Sequence, residues 1–208
     1  IKIIFMSSIK LETNEEEFLF WKTHKEKILS NFAILDDKYF WQNNLANKNL
    51  FEINRFYRIT KSLLRFEIVT YLKKIYDKKF VLIGEDWRKY SIDSLKSNYD
   101  TKKNKNIYKG NICLDTGSLE GSSSLYSRAN QIIESGGLIV QSYAFDASEH
   151  WKDLKQDLLF KNFDELRNII DKLINNLELS NILLDKISKH FKNSSISMEK
   201  TLNRYFSK

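Results

Sequence analysis

Residues 111–142, NICLDTGSLEGSSSLYSRANQIIESGGLIVQS, have the pattern of a strand, a loop, a helix and a second strand. The apolar run Ile112–Leu114 predicts a short buried strand, and a loop rich in glycine and serine follows it. The next residues have the pattern of a helix that carries Arg128 and ends before Gly136. A second apolar run, Leu138–Val140, predicts another buried strand.

The loop before this helix is suited to binding an anion. Small residues leave backbone N–H groups accessible, and the positive end of the helix dipole faces whatever occupies the loop. Arg128, about one turn into the helix, adds a forked and permanently charged donor. Because a cation near a helix N-terminus opposes the dipole, we favour a phosphate contact for Arg128 over a plain surface position.

Length and composition are those of a globular protein. The 208 residues suffice for one large domain or two small ones, with 42% hydrophobic and 29% charged residues. No apolar stretch is long enough to predict a transmembrane helix. The opening IKIIFMSS has the pattern of a buried strand rather than a signal peptide. Because it has no initiator methionine, we expect the chain to begin inside a larger protein.

The single cysteine and the net charge limit which kinds of function are compatible with the sequence. The single cysteine, Cys113, excludes an internal disulfide and fits the reducing cytoplasm. Its place within a predicted strand favours a buried apolar role over a nucleophilic one. A net charge of +7 is compatible with attraction to nucleic acid, an anionic membrane or phosphorylated ligands. Because no predicted helix concentrates this charge, a general enrichment in lysine is the simpler interpretation.

The rest of the chain alternates strands and helices. Further strands are predicted at 1–6 and 80–83, and helices at 53–76, 163–177, 180–191 and 197–206, with helix starts at the capping pairs Asn14/Glu17 and Asn162/Glu165. Residues 31–49 are predicted to be irregular, and residues 100–105 a charged surface turn. This alternation is typical of an open α/β sheet, whose ligands bind at the carboxyl ends of the strands. Gly84 and the loop 115–128 are expected at that rim.

From about Phe80 to its end, the chain resembles the C-terminal, donor-binding domain of GT-B glycosyltransferases, closest to the CgeB-like and family 4 retaining groups. The matching features come in the family's order. They are the strand Phe80-Val-Leu-Ile-Gly84, a strand from Tyr108 to Leu114 that leads to Glu120-Gly121, the run Arg128-Ala-Asn-Gln131-Ile-Ile-Glu-Ser-Gly136, and Asp164-Glu165-Leu166 at a helix start. Residues 1–79 fit more loosely, as the preceding strand and helices.

The resemblance implies a Rossmann-like parallel sheet flanked by helices, forming one nucleotide-sugar-binding domain over residues 1–208. GT-B enzymes consist of two such domains, and the N-terminal one usually supplies the acceptor side. The chain is therefore expected to be half of an enzyme and inactive alone. The implied substrates are a nucleotide-diphospho-sugar and a sugar, lipid or protein acceptor. The implied location is the cytoplasm, with peripheral contact at the inner face of the membrane.

The resemblance also assigns site residues. Arg128 is expected to hold the diphosphate and Glu120 to contact the sugar, and these two are the expected catalytic residues. The expected donor-binding residues are Gly84, Glu85, Trp87, Gly117, Gly121, Ser122, Tyr126, Arg128, Gln131 and Glu134. No metal and no further cofactor are expected, because Arg128 and the helix dipole would neutralise the departing diphosphate.

Several assignments keep an alternative. The family usually places glutamate where this chain has Gln131, so either Gln131 or Glu134 would contact the ribose. Glu120 is either a sugar ligand or a solvated carboxylate. The segment 84–87 either approaches the donor through its backbone or forms a strand-to-helix turn with a packed tryptophan. Gly136 and Gly137 favour a helix C-cap over ligand contacts.

Other catalytic patterns are missing from the sequence. It contains no Asp-x-Asp pair, no GxxxxGK[ST] loop and no metal-ligand spacing among His24, His150 and His190. Two alternative functions are a basic α/β module that binds nucleic acid or an anionic surface, and a non-catalytic transferase-like domain, which Gln131 favours.

Overall fold

The computed structural model describes residues 1–97, 101–117 and 127–206. In this part of the chain, five strands form one parallel sheet: β1 Ile3–Met6, β2 Phe80–Ile83, β3 Ile112–Asp115, β4 Leu138–Ser142 and β5 Leu159–Phe160. Their order is β2-β1-β3-β4-β5, and Ile3 is in register with Phe80 on one side and Ile112 on the other. The prediction of a Rossmann-like parallel sheet flanked by helices is confirmed.

Nine α-helices accompany the sheet within the same residues. They are α1 Glu15–Ser30, α2 Lys38–Asn44, α3 Leu50–Tyr76, α4 Thr101–Tyr108, α5 Ser127–Glu134, α6 Phe145–Trp151, α7 Lys155–Leu158, α8 Phe163–Asn175 and α9 Leu177–Phe206. Helix α3 packs on α1 and β2, whereas α5 packs on β3 and β4 and against α4 and α9. All four residues of β3 are buried although their side chains alternate in direction, so helices cover both faces of the sheet.

Two helix starts follow the predicted capping residues. The Glu17 backbone N–H donates to Asn14 Oδ1 at 2.8 Å, and the Asn14 N–H donates to the Glu17 carboxylate at 2.9 Å. This reciprocal pair is a capping box. At α8, the Glu165 N–H donates to Asn162 Oδ1 at 2.9 Å, but the Glu165 carboxylate accepts from Lys161 rather than from Asn162.

The end of α5 confirms the C-cap interpretation of the two glycines. The Gly136 N–H donates to the Ile133 carbonyl at 3.0 Å and the Gly137 N–H to the Ile132 carbonyl at 2.9 Å. Gly136 adopts φ +72°, a conformation that glycine reaches without strain. These features define a Schellman motif, which ends α5 and directs the chain into β4.

The predicted irregular segment 31–49 is wrong, because most of it is helical. Residues 32–36 form a 3₁₀ turn and α2 follows directly. Phe40 and Trp41 of α2 are buried, and Trp41 stacks on Phe20 of α1 with ring centroids 5.7 Å apart. Two short helices in succession contain too few turns to show a helical period, so the sequence pattern missed them.

Three other boundaries also differ from prediction. The expected surface turn at 100–105 is largely part of α4, which also includes Tyr108, expected to begin a strand. The two predicted C-terminal helices are the single helix α9, because the polar residues between them include neither glycine nor proline to end it. Within the described residues, no helix combines the length and apolar character needed to cross a bilayer.

A pair of histidines forms a contact between α6 and α9. The rings of His150 and His190 lie 4.8 Å apart beside Trp151. Burial, and to a lesser extent the charge of His190, lowers the pKa of His150 below its usual 6.5. The unfolded chain therefore binds a proton at His150 more readily than the folded chain does as pH falls below 6.5.

We expect the free energy of unfolding to fall on acidification from about pH 7.5 to about pH 5.5. The fall is expected to be smaller in His150→Gln, which cannot gain this proton. Urea denaturation of both proteins at the two pH values measures the difference. Equal falls in the two proteins would show that His150 does not contribute.

Candidate functional site

The sheet order places a crevice at the carboxyl ends of the central strands. The connection from β1 leads to one side of the sheet, toward β2, and the connection from β3 leads to the other, toward β4. The topological switch point therefore lies between β1 and β3, where open α/β sheets bind their ligands. Thr116 and Gly117, which follow β3, lie at this rim, as predicted for the first residues of the loop.

Arg65 of α3 contacts this rim directly. It is only 7% exposed. Its Nε donates to Thr116 Oγ1 at 3.0 Å, and an Nη donates to the Gly117 carbonyl. Burial, followed by the charge of Arg128, lowers the pKa of Arg65 to about 10. A buried guanidinium thus joins the middle of α3 to the residues after β3.

Arg128 brings a second guanidinium to the same place. It lies in the first turn of α5, and its charge is close enough to lower the pKa of Arg65, whereas Asp115 has the opposite effect. The N-terminus of α5 adds the positive end of a helix dipole. Two mutually repelling arginines from different helices, beside a helix N-terminus, form a site that an anion would stabilise.

Lys61 is the third cation. It lies one turn before Arg65 on α3, and its Nζ is 3.7 Å from the position that a Cβ on Gly117 would occupy. The ammonium also lies 5.0 Å from the centroid of the Tyr57 ring. Burial lowers the pKa of Lys61, and the neighbouring Arg65 lowers it further, while Asp36 raises it.

Asp36 places an acid in the same pocket. It is the last residue of the 3₁₀ turn, and its Oδ1 atom is buried without a hydrogen-bond partner among the described residues. Burial raises the pKa of Asp36 and Asp146 of α6 adds to this effect, whereas Lys61 and the nearby Tyr57 hydroxyl oppose it. The pocket is completed by apolar side chains, including Leu35 and Leu64, and by segment 141–144.

A buried chain of hydrogen bonds holds the end of β3. Asp115 accepts from the Gly117 N–H at 3.2 Å and from the Gln141 amide at 3.1 Å. Gln141 in turn accepts from the Trp151 indole N–H at 3.0 Å. All three side chains are buried, so their polar atoms depend on one another and fix the position of Gly117.

The structure brings only some of the predicted donor residues together. Gly117 and Arg128 lie at the crevice with Arg65. Gln131, half-buried, lies one turn after Arg128 on α5. Glu134 is exposed at the other end of α5, toward the amino-terminal edge of the sheet. The predicted residues Glu120, Gly121, Ser122 and Tyr126 lie outside the described residues.

The predicted residues Gly84, Glu85 and Trp87 lie at the end of β2 and pack on the end of β1. A Cβ on Gly84 would lie 1.9 Å from the Ser7 carbonyl oxygen. Trp87 is 0% exposed, and its indole N–H donates to the same oxygen. The Glu85 N–H donates to Ser8 Oγ at 3.1 Å. These contacts match the turn with a packed tryptophan, which was one of the two interpretations.

Sequence reasoning missed Asp36, Lys61 and Arg65. Asp36 fell in a segment predicted to be irregular, and the two cations belong to a helix interpreted only as packing. One signal was available for Arg65, because it lies between residues of the apolar face of α3, where a charged side chain needs a partner.

Comparison with known proteins yields no relative: no family model matches the chain, and no curated protein or solved structure does either. In residues 1–97, 101–117 and 127–206, no three His, Cys, Asp or Glu side chains are grouped as a metal site would require. The charge and geometry of the crevice, together with the sequence motifs, are therefore the features that indicate a function.

Proposed function

We propose that the chain binds a nucleotide-diphospho-sugar and forms the donor half of a glycosyltransferase. The observation that carries the proposal is the position of Lys61 and Arg65 beside Gly117, at the carboxyl end of β3, with Arg128 of α5 close enough to lower the pKa of Arg65. Three cations and a helix N-terminus match the charge of a diphosphate better than that of a single carboxylate. The motifs that resemble GT-B donor domains support the same location.

In the proposed reaction, the bond between the anomeric carbon and the diphosphate oxygen breaks, and that oxygen keeps the electron pair. An acceptor hydroxyl forms the new bond to the anomeric carbon and loses its proton to a base. Negative charge therefore grows on the diphosphate in the transition state. Arg65 and Arg128 would stabilise the transition state, in which this charge has grown, more than they stabilise the ground state. This difference would accelerate the reaction.

Helix α5 also suggests which residue contacts the ribose. Gln131 is one turn from Arg128, whereas Glu134 is exposed at the far end of the helix. We therefore favour Gln131, whose amide both donates and accepts hydrogen bonds, as hydroxyl groups require. The acceptor side of the enzyme would come from a further domain.

The proposal predicts that Arg128→Gln binds nucleotides more weakly. A charge-assisted hydrogen bond to phosphate contributes roughly 1.5–3 kcal/mol. We therefore expect about a tenfold to hundredfold loss of affinity for the nucleotide that the wild type binds. Calorimetric titration with UDP, GDP and their sugars measures this loss.

Arg58→Gln is the matched control, because it removes the same charge from an exposed position on α3, two turns before Arg65. This variant is expected to keep wild-type affinity. If the wild type binds no nucleotide at millimolar concentrations, the proposal is rejected.

Binding to nucleic acid or another anionic surface is the second candidate. A depression of about 460 Å³ favours it. The depression is lined by Lys10, Arg55 and Arg58, of which Lys10 pairs with Glu12 and Arg55 with Glu17. The affinity for nucleic acid or an anionic surface would fall steeply as the salt concentration rises, and the Arg58→Gln substitution would also lower this affinity. Nucleotide binding that depends on Arg128 but not on Arg58 would instead support the donor site.

A further inference from the structure

We infer that the pocket between Asp36 and Arg65 receives one hydroxyl group of the donor sugar, and that Asp36 accepts a hydrogen bond from it. The inference rests on the proposed function, because it assigns the sugar end of the same ligand. It makes Asp36 a residue that distinguishes a nucleotide sugar from the nucleotide alone.

The size of the pocket limits what enters it. Its free interior is about 20 Å³. A cavity of this size holds about one water molecule, and a hydroxyl group has nearly the same volume. The pocket therefore accepts a single polar group, while the rest of the ligand stays at the rim with Gly117 and Arg128.

The charges of the pocket favour a group that both donates and accepts hydrogen bonds. The buried Oδ1 of Asp36 has no donor among the described residues, and Lys61 lies near enough to alter the pKa of Asp36. A hydroxyl can donate to the carboxylate and accept from an ammonium at the same time. A phosphate oxygen only accepts at neutral pH, so Asp36 would repel it.

The arrangement along the pocket fits a sugar joined to a phosphate. Lys61 and Arg65 both line the pocket that contains Asp36. An anionic group bound by Arg65 therefore lies beside the pocket that receives the hydroxyl. Burial and the charge of Asp146 raise the pKa of Asp36, whereas Lys61 and the Tyr57 hydroxyl lower it. A further hydrogen bond donated by a ligand would favour the carboxylate form.

Paired titrations test the inference. The affinities of UDP and GDP are compared with those of UDP-glucose, UDP-galactose and GDP-mannose, for the wild type and for Asp36→Asn. For the sugar that the wild type binds, we expect about a tenfold loss in Asp36→Asn, as for a charge-assisted hydrogen bond. The affinity of the corresponding nucleoside diphosphate is expected to stay the same or rise, because a negative charge near the cations is removed.

Asp37→Asn is the matched control. Asp37 is exposed and caps α2 by accepting from the Tyr39 N–H at 2.9 Å. Asparagine caps equally well, so this variant removes the same charge one residue away without loss of the helix start. It is expected to bind both ligands as the wild type does.

The outcomes separate the inference from the proposed function. Equal losses for the sugar nucleotide and the nucleoside diphosphate, or no loss for either, would overturn the role of Asp36 and leave the donor site intact. Absence of nucleotide binding in the wild type would overturn both. If circular dichroism shows that Asp36→Asn is unfolded, Asp36→Glu replaces it. That variant keeps the charge but displaces the carboxylate, and the same selective loss is expected.

Discussion

Replacing Gly84 by alanine is expected to lower the free energy of unfolding by about 3 kcal/mol, or to prevent folding altogether. The new Cβ would lie 1.9 Å from the Ser7 carbonyl oxygen, 2.5 Å from its carbon and 3.0 Å from the Ser8 nitrogen. All three are backbone atoms of the two residues that follow β1, and they cannot move without displacing this inner strand. Urea denaturation followed by circular dichroism measures the loss.

Gly110→Ala is the matched control for this prediction. Gly110 has φ +68°, but nothing lies within 4 Å of its Cβ position. Only backbone strain of about 1–2 kcal/mol is therefore expected there. If the two variants lost the same stability, the overlap with Ser7 would not be the cause of the effect at Gly84.

The second large effect is expected at Arg65. Arg65→Met should weaken binding of the nucleotide diphosphate by about a hundredfold, because the variant loses the buried guanidinium of the proposed site. Its stability is expected to change little. Burial, which lowers the pKa of Arg65 to about 10, disfavours the charged side chain in the folded protein, and its removal offsets the lost bonds to Thr116 and Gly117.

Two further variants make the Arg65 result specific. Arg65→Lys keeps the charge but not the forked donor, so an intermediate affinity is expected. Arg58→Met makes the same substitution at an exposed position and should have no effect on affinity. Calorimetry gives the affinities, and urea denaturation gives the stabilities. Wild-type affinity in Arg65→Met would exclude Arg65 from the ligand site.

The sheet was predictable because parallel strands covered on both faces are continuous apolar runs. Two strands could be identified without knowing which strands they pair with, namely Ile112–Leu114 and Leu138–Val140. Strand β5, Leu159–Phe160, was not predicted, because two residues are too few to show a periodic hydrophobic pattern. The position of Trp87 depends on tertiary packing, because its indole N–H donates to the carbonyl of Ser7, 80 positions earlier in the chain.

The predicted part of the site is the part that is local in sequence. Gly117 and Arg128 belong to one strand-loop-helix pattern, so their neighbourhood could be inferred. Arg65 joins Thr116 from 51 positions away, and Asp36 reaches the pocket from a 3₁₀ turn. No local pattern records such contacts, because they depend on how α3 and the 3₁₀ turn pack over the rim of the sheet.

The position of β1 between β2 and β3 has a consequence for how the chain folds. Its residue Ile3 pairs with Phe80 and Ile112, separations of 80 − 3 = 77 and 112 − 3 = 109 residues. Ribosomal synthesis therefore produces β1 long before either partner, and closing such large loops slows folding. Because the 208 residues contain no proline, prolyl isomerisation adds no slow step. The slowest refolding phase should report the closure of the sheet around β1.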